Sequence, residues 1–465
     1  MKTKSRIPIL ILITSILLKF VLAIANRDAN DNHVDVVNII IGTKSIPEKS
    51  DCWSCYQPKL YYLISSGLVT LFHVSETFDR MLVMQLLNVF LAFFIQLLIW
   101  KYIDSFSIKY KHKQILFAFF AFNSCLTGIN VQGTNDTLII LLGVATVYYF
   151  TKYIKEGSNI SFIMASISIV LALLTKASAI IIMVVSIFFL LLQLVFSDNP
   201  FLRKRVLKKV LILITCIVLI VPFAGGYYTN YKKYGNFTLS TWEKDKPPLL
   251  FERTYVSRPG IENIVEGFFT FRWIDLIRQP YINNEQSNFP KHRTSLWSQL
   301  YGRTFFMHYD QWPISWQWKS NAISKLGSAL MILGIIPLAI FLTGLVTITL
   351  TVIKKISEIN NKFLTSSATF YCWLLTSSFL ASSIYYSYSY RDFSSMKSIY
   401  IFPGLLAFTA IFLHGYALIK SKLLLLFVNS FLLVISVLFI ADMVLLFQQI
   451  APPDLFSSFF IKNYS

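Results

Sequence analysis

Carboxylates that follow the first hydrophobic segment are the clearest candidates for chemistry in this chain. Asp28, Asp31 and Asp35 lie in the polar stretch 28–35, directly after an apolar run. A carboxylate at a membrane surface can accept the proton of a hydroxyl group and so activate a weak nucleophile. Asp31 can also cap the apolar segment that begins at Val34, a common role for Asp before a helix. The pattern favours a catalytic loop, with Asp31 as its catalytic carboxylate.

Asp136 is a second acidic candidate, in the segment Gly133-Thr134-Asn135-Asp136-Thr137-Leu138. It comes directly before a long hydrophobic run, where an Asp is a frequent helix cap. Its expected position at the same membrane surface as residues 28–35 also makes it a candidate catalytic carboxylate, and both interpretations stay open.

Four basic residues near the ends of hydrophobic segments are candidates for holding a phosphate group. Lys and Arg bind phosphate through charge-assisted hydrogen bonds and stabilise negative charge as it develops. Long basic side chains at a membrane surface can also simply extend to water. A functional role is favoured for Lys176, because a basic residue on the expected outer side runs against the usual charge bias. The four residues are Arg80, Lys176, Arg391 and Lys397.

The composition indicates that lipid is the solvent of this chain. Of its 465 residues, 55% are hydrophobic and only 14% are charged. Runs long enough to cross a bilayer, about 20 residues each, occur along almost the whole length, and each must be helical to pair its backbone groups in lipid. We therefore predict an all-α polytopic membrane protein with about eleven transmembrane helices. The predicted spans are 7–25, 81–100, 114–130, 137–153, 159–175, 178–197, 209–228, 322–353, 363–386, 399–419 and 423–447.

Basic residues in the short loops predict the orientation, because Lys and Arg collect on the cytoplasmic side. Clusters such as 109–113, 203–209 and 354–355 place the N-terminus inside and two large loops, 26–80 and 229–321, outside. The formal net charge of +19 is then a mark of topology, and no nucleic-acid partner is expected. The predicted units are an N-terminal membrane module (1–228), an outer loop domain (229–321) and a C-terminal membrane module (322–465).

The first span also has the features of a cleavable signal sequence, with Ala23-Ile24-Ala25 as a small-x-small site. Retention is favoured, because the acidic loop that follows is useful only when held at the membrane. Either outcome leaves that loop on the outer face.

Cys52-Trp53-Ser54-Cys55 lies in the first outer loop, where a disulfide, two free thiols or half of a metal site are all compatible with the sequence. A complete zinc site needs about four ligands, and no second Cys pair exists. No metal site or cofactor is predicted.

Three further features leave alternatives open. His33 can assist the proposed acid, but a solvated loop histidine is the simpler interpretation. Asp442 lies inside the last span, where ionisable residues are usually functional, or is solvated at the outer interface. Residues 293–301 form an amphipathic pattern whose aromatic side chains either stack on a sugar or only pack.

An ordered set of short motifs resembles the GT-C glycosyltransferases, most nearly the aminoarabinose transferases and the protein O-mannosyltransferases, which are dolichyl-phosphate-mannose enzymes. In that family an acidic pair precedes a Gly by about eleven positions, and a Pro-Pro-Leu-Tyr-like segment leads into the second membrane helix. Asp31, Gly42 and Tyr56-Gln57-Pro58-Lys59-Leu60-Tyr61-Tyr62 have this arrangement. Further landmarks are Arg80, residues 133–138, Leu173-Leu174-Thr175-Lys176 and Met396-Lys397-Ser398-Ile399-Tyr400-Ile401-Phe402-Pro403.

The resemblance implies a GT-C-like fold and an inverting, metal-independent transfer of a sugar from a polyprenyl-phosphate donor at the outer face of the membrane. It implies Asp31 and Asp136 as catalytic residues, with substrate-binding roles for Asp28, His33, Arg80, Lys176, Arg391, Lys397 and Tyr400. The motifs also depart from the family. Asn32 replaces the second acid, and Lys59 replaces a Pro, which adds a cation beside the expected site.

Other functions remain to be weighed against a glycosyltransferase. A transporter or flippase of lipid-linked saccharides is the alternative, although such proteins usually show repeats and polar groups near the bilayer midplane, and no repeat is visible here. A non-catalytic scaffold leaves the acidic loop unexplained. The bacterial inner membrane is the favoured location and the endoplasmic reticulum the alternative, while the sugar and the acceptor cannot be read from the sequence.

Overall fold

The protein is built from α-helices and short 3-10 turns, and no strand occurs in the part of the chain that the structure covers. The computed structural model describes residues 6–26, 32–196, 200–239, 264–282, 291–310, 314–317, 320–358, 363, 366–390 and 396–452. The prediction of an all-α polytopic membrane protein is confirmed.

Nineteen helices are described, and their lengths separate membrane-crossing helices from short connecting ones. They are α1 (Ile7–Ala25), α2 (His33–Thr43), α3 (Leu60–Leu71), α4 (Thr77–Asp104), α5 (Tyr110–Ala121), α6 (Ser124–Asn130), α7 (Asp136–Glu156), α8 (Asn159–Thr175), α9 (Ile180–Phe196), α10 (Pro200–Ala224), α11 (Tyr227–Tyr234), α12 (Ile264–Phe269), α13 (Trp273–Arg278), α14 (Leu296–Phe305), α15 (Asn321–Leu333), α16 (Ile335–Ser357), α17 (Ala368–Tyr390), α18 (Leu405–Ala417) and α19 (Lys422–Ile450).

Each predicted span overlaps one or two of these helices. Seven helical stretches among the described residues are long and apolar enough to cross a membrane, and α8 and the stretch Phe402–Ala417 are shorter apolar helices. The predicted span 322–353 corresponds to α15 and α16, which meet at Gly334. Two further short apolar helices, α2 and α3, lie in the loop 26–80.

The predicted span 114–130 is interrupted, because α5 ends at Ala121 and α6 begins at Ser124. Asn123 begins α6 by accepting a hydrogen bond from Leu126 N at 2.8 Å. The carbonyl oxygen of Ala121, left without a partner in its own helix, accepts instead from Ser15 Oγ at 2.6 Å, Gln96 Nε2 at 3.1 Å and Lys19 Nζ at 3.1 Å. Buried polar side chains of α1 and α4 therefore stabilise this break.

Contacts between helix termini form two groups, one at each end of the helix bundle. At one end, Asn26 donates to Val131 O and Lys176 pairs with Asp136. At the other end, Lys113 pairs with Asp104, and His112 lies 2.8 Å from Asn429. We call the first group the site end and the second the basic end.

The second outer loop reaches into the bundle at the site end. Asp442 of α19 is fully buried and accepts hydrogen bonds from Met307 N at 3.1 Å and His308 Nδ1 at 2.8 Å. Asn123 donates to Thr304 O, and Ser398 Oγ donates to Arg303 O. Of the two alternatives left open for Asp442, solvation at the interface is wrong, because this buried carboxylate anchors the loop.

Glycine allows three close helix contacts that a larger residue would block. A Cβ atom at Gly344 of α16 would overlap Ile411 O of α18, and one at Gly415 would overlap Ile340 O. A Cβ atom at Gly143 of α7 would overlap Pro403 O. The last contact presses α7 against the segment that follows Tyr400.

Cys52 and Cys55 form a disulfide, which settles the alternatives left open by the sequence. The disulfide closes a short turn just before α3. Lys59 Nζ donates to Cys55 O and so ties this turn to the start of α3.

Candidate active site

A buried ion pair at the site end is the centre of the candidate site. Asp136 is the first residue of α7, and Lys176 follows the last residue of α8. Lys176 Nζ lies 2.5 Å from Asp136 Oδ1, and the two side chains are 19% and 9% exposed. A carboxylate and an ammonium group that are both largely removed from water interact more strongly than a surface pair. The two residues that sequence analysis proposed separately are therefore in direct contact.

The turn before Asp136 is held by buried polar groups. Asn88 of α4 donates to Gln132 O at 2.6 Å and to Thr134 O at 2.7 Å. Thr134 Oγ1 accepts a longer hydrogen bond, 3.4 Å, from Asp136 N. The carboxylate of Asp136 contacts Lys176. The side chain of the preceding residue, Asn135, does not cap α7.

His33 lies beside this pair. It is the first residue of α2 and is only 3% exposed. Its Nδ1 is 2.6 Å from the hydroxyl of Tyr62, and the two rings are stacked. His33 is also close enough to Asp136 to interact electrostatically with it. The simpler interpretation of His33 as a solvated loop residue was therefore wrong.

Tyr400 borders the pair on the other side. Lys176 Nζ lies 5.9 Å from the centre of the Tyr400 ring, within the range of a cation–π contact. Tyr386 packs edge-on against Tyr400, with ring centres 5.3 Å apart. Lys397 begins the 3-10 turn that carries Tyr400, and its carbonyl accepts from Tyr400 N.

Arg80 joins two elements of the first outer loop. Its Nη1 donates to Asn38 Oδ1 at 2.8 Å, and its Nε donates to Val74 O at 3.3 Å. These bonds fasten α2 to the start of α4. A substrate-binding role for Arg80 stays a prediction.

Three predicted site residues, Asp28, Asp31 and Arg391, lie outside the described residues. The segment that contains the two acids connects Asn26 to Asn32. Asn26 is held at the site end by Val131 O, and its Oδ1 accepts from Trp316 Nε1 at 3.3 Å. The residue that precedes the acidic segment therefore lies at the site end.

Sequence reasoning did not select Gln57 or Tyr62 as site residues, and it noted Lys59 only as an added cation beside the expected site. Gln57 contacts Asn135, next to Asp136, and Tyr62 contacts His33. Burial lowers the pKa of Lys59 to about 8, although nearby Asp51 acts in the opposite direction. The only signal for these residues was their place in the motif 56–62, which does not say which side chains face Asp136.

The aromatic side chains of α14 pack into the protein. Trp297 Nε1 donates to Phe268 O at 2.7 Å, and Tyr301 OH donates to Met331 O at 2.7 Å. Burial raises the pKa of Tyr301. Of the two alternatives left open for residues 293–301, packing is the one observed. Among the described residues, no group of three or more His, Cys, Asp or Glu side chains is arranged to hold a metal ion.

The fold and the buried acid–base pair define a polytopic helical membrane protein with a polar site at one end of the bundle. Two crystal structures of ArnT from Cupriavidus metallidurans are similar to it. The structure bound to undecaprenyl phosphate has 12% sequence identity and a TM-score of 0.37, and covers 87% of this chain and 76% of ArnT. The apo structure has 11% identity, a TM-score of 0.37 and the same coverage.

Both the TM-score and the identity are low, so the function proposed for this chain rests on its site geometry. No protein-family model matches the chain, and no curated protein is significantly similar to it in sequence.

Proposed function

We propose that this protein is an integral-membrane glycosyltransferase that takes a sugar from a polyprenyl-phosphate-linked donor. The observation that carries the proposal is the buried Asp136–Lys176 pair at the site end, with His33 and Tyr400 beside it. The site end is the outer face by the charge rule. A donor whose lipid lies in the outer leaflet can present its phosphate and sugar at this depth.

The chemistry of such a transfer needs a base and a cation. The oxygen of an acceptor hydroxyl attacks the anomeric carbon, and the bond between that carbon and the phosphate oxygen breaks. Polyprenyl phosphate leaves with the electron pair, and the hydroxyl proton passes to a carboxylate. Lys176 is placed to stabilise the leaving phosphate by a charge-assisted hydrogen bond. Inversion at the anomeric carbon and independence of metal follow from the family resemblance.

The ion pair itself suggests how the donor prepares the site. In the absence of substrate, Lys176 and Asp136 neutralise each other. A phosphate group that binds Lys176 draws the ammonium group from the carboxylate and leaves Asp136 able to accept a proton. Asp31 is the other proposed carboxylate.

One observation favours the alternative, a transporter or flippase of lipid-linked saccharides. Broken helices and charged residues inside spans are typical of transporters, and this bundle contains the break between α5 and α6 with the fully buried Lys19. Lys19 donates to Ser15 Oγ at 2.7 Å and to Ala121 O. Because these bonds satisfy groups of the break itself, we favour the glycosyltransferase.

Donor turnover tests the proposal. The purified protein is incubated with undecaprenyl-phosphate-linked mannose, glucose and aminoarabinose, a membrane extract that supplies acceptor hydroxyl groups, and a chelator, and the release of undecaprenyl phosphate is measured. We expect release from at least one donor. Asp136→Asn should slow it by about 100-fold or more, as expected for loss of a general base. Asp104→Asn is the matched control, because Asp104 also pairs with a lysine, Lys113, but at the basic end.

Two results would contradict the proposal. One is equal release by the Asp136→Asn and Asp104→Asn proteins. The other is translocation of these lipids across liposome membranes without cleavage, which would support the flippase.

A further inference from the structure

Asn135 lies between the two chain segments that carry the ion pair. It precedes Asp136 directly, and its side chain is fully buried. Its Nδ2 donates to Thr175 O at 3.0 Å, and Thr175 directly precedes Lys176. One amide group therefore connects the backbone beside Asp136 to the backbone beside Lys176.

The same amide also reaches the first outer loop. Asn135 Nδ2 donates to Gln57 Oε1 at 2.5 Å. Gln57 follows the disulfide-closed turn Cys52–Cys55 by two residues. Asn135 thus joins three separate segments that border the candidate site: the first outer loop, the start of α7 and the end of α8.

The requirement for these bonds follows from the ends of the helices. Thr175 O belongs to the last turn of α8, whose carbonyl groups lack partners within the helix. Lys176 then continues in an extended conformation, with φ −158° and ψ 140°. A buried donor that holds this carbonyl fixes the direction in which Lys176 leaves α8. An apolar side chain at position 135 would leave both Thr175 O and Gln57 Oε1 without this donor.

We propose that Asn135 is a positioning residue for the transfer reaction: it holds Lys176 against Asp136 by binding the carbonyl of Thr175. The relevance of this inference to catalysis rests on the proposed function. The positioning of Lys176 by Asn135 does not depend on that function. Asn135 acts through the ion pair and is not proposed to contact the reacting atoms.

Chemical labelling of Lys176 tests the geometry without any assay of transfer. A membrane-impermeant N-hydroxysulfosuccinimide ester acylates accessible amines, and pairing with Asp136 keeps the Lys176 amine partly covered. In purified protein we expect Asn135→Ala to raise the rate of Lys176 labelling about tenfold, as expected when a charge-assisted hydrogen bond is weakened. Asp136→Asn gives the upper reference, because it removes the partner altogether. Labelling is read for the Lys176 peptide by mass spectrometry.

Asn429→Ala is the control for a general loss of stability. Asn429 is also a buried amide with two side-chain hydrogen bonds, to His112 and Tyr416, but it lies at the basic end. It should leave Lys176 labelling unchanged. The positioning role would be overturned if Lys176 of Asn135→Ala is labelled at the wild-type rate. It would also be overturned if Asn429→Ala raises the rate of Lys176 labelling as much as Asn135→Ala does.

A double-mutant cycle extends the test to the reaction. If wild-type protein releases undecaprenyl phosphate, Asn135→Ala should lower kcat about tenfold in the wild-type background, the loss that follows when a phosphate-binding cation is misplaced. In the Lys176→Met background it should change kcat less than about twofold, because the group through which it acts is gone. Additive losses would contradict the positioning role. Absence of release in wild type would count against the proposed function alone, because the labelling result does not depend on transfer.

Discussion

The carboxylate of Asp442 lies 2.8 Å from Nδ1 of His308, although the two residues belong to the last membrane helix and to the second outer loop. Both side chains are fully buried. Asp442 also accepts from Met307 N. A buried carboxylate without partners is too costly to persist, so the position of the loop and the presence of Asp442 in α19 depend on each other.

Asp442→Ala should release this loop from the bundle. The change leaves Met307 N and His308 Nδ1 buried without an acceptor, and a buried donor left unsatisfied typically costs about 1–3 kcal/mol. We expect a lower thermal transition in detergent and faster proteolysis between residues 291 and 310. Ser436→Ala on the same helix removes only a bond to Leu432 O and should have little effect. Equal proteolysis of the two variants would show that Asp442 does not anchor the loop.

Neutralising the basic residues of the site should weaken use of the donor. A charge-assisted hydrogen bond to phosphate contributes about 1.5–3 kcal/mol, so Lys176→Ala and Lys397→Ala should each lower kcat/KM for the lipid-linked donor about tenfold or more. The measurement is release of undecaprenyl phosphate at several donor concentrations. If both variants keep the wild-type dependence on donor concentration, the phosphate is bound elsewhere.

Asp31→Asn distinguishes a catalytic carboxylate from a helix cap. Asn keeps the size and the capping ability of Asp, so a cap should survive the substitution. A general base should not, and we expect turnover to fall by about 100-fold or more. Membrane levels and thermal stability are measured on the same samples. Near wild-type turnover by a normally folded variant would transfer the role to Asp28, Asp35 or Asp136.

Residues before and after the membrane span formed by α10 should react with a labelling reagent from opposite sides of the membrane. Phe201 lies at its start and Phe237 beyond its end, and the two side chains are 82% and 54% exposed. In intact cells or spheroplasts, an impermeant maleimide should modify Phe237→Cys but modify Phe201→Cys only after the membrane is opened. Modification of both, or of Phe201→Cys alone, would be incompatible with an outward-facing site.

Acid should destabilise the second outer loop through His292. Burial lowers the pKa of His292 to about 4, and its Nε2 lies 2.8 Å from Gln279 O. The unfolded histidine, with its ordinary pKa near 6.5, binds more protons between pH 6.5 and 4, so folding stability falls as the pH falls through this window. Each pH unit inside it costs about 1.4 kcal/mol.

Hydrogen exchange of residues 291–310 measures this effect locally. The wild-type loop should lose protection as the pH is lowered from 6.5 to 4, after correction for the intrinsic exchange rate. His292→Gln cannot titrate and should show a flatter profile. Parallel profiles for the two proteins would exclude His292 as the source of acid sensitivity.

The sequence predicted the helices well because the spacing of apolar and basic residues reflects the bilayer directly. The boundaries of α1, α7 and α8 agree with the predicted spans within a few residues. The interruption at Ala121 was missed, because a hydropathy pattern cannot show that Lys19, Ser15 and Gln96 from other helices bind a free carbonyl group.

The candidate site was predictable residue by residue but not as a set of contacts. Asp136 and Lys176 were selected from their positions at span ends, yet only the packing of α7 against α8 brings them together. His33 appeared solvated because a polar loop precedes it, whereas Tyr62 buries it. Asn135 and Gln57 carry no signal of their own, since a buried amide is recognised only by the segments it joins.

The lack of a Cβ atom at Gly143 also affects the order in which the protein assembles during synthesis. Helix α7 is synthesised before Pro403, which packs on Gly143. Folding during synthesis proceeds from the N-terminus, so the surface of α7 at Gly143 lacks this partner until the later segment arrives. Tyr400 can take its place beside Lys176 only then, and a nascent chain stopped before residue 396 inserts most of its helices without a finished site.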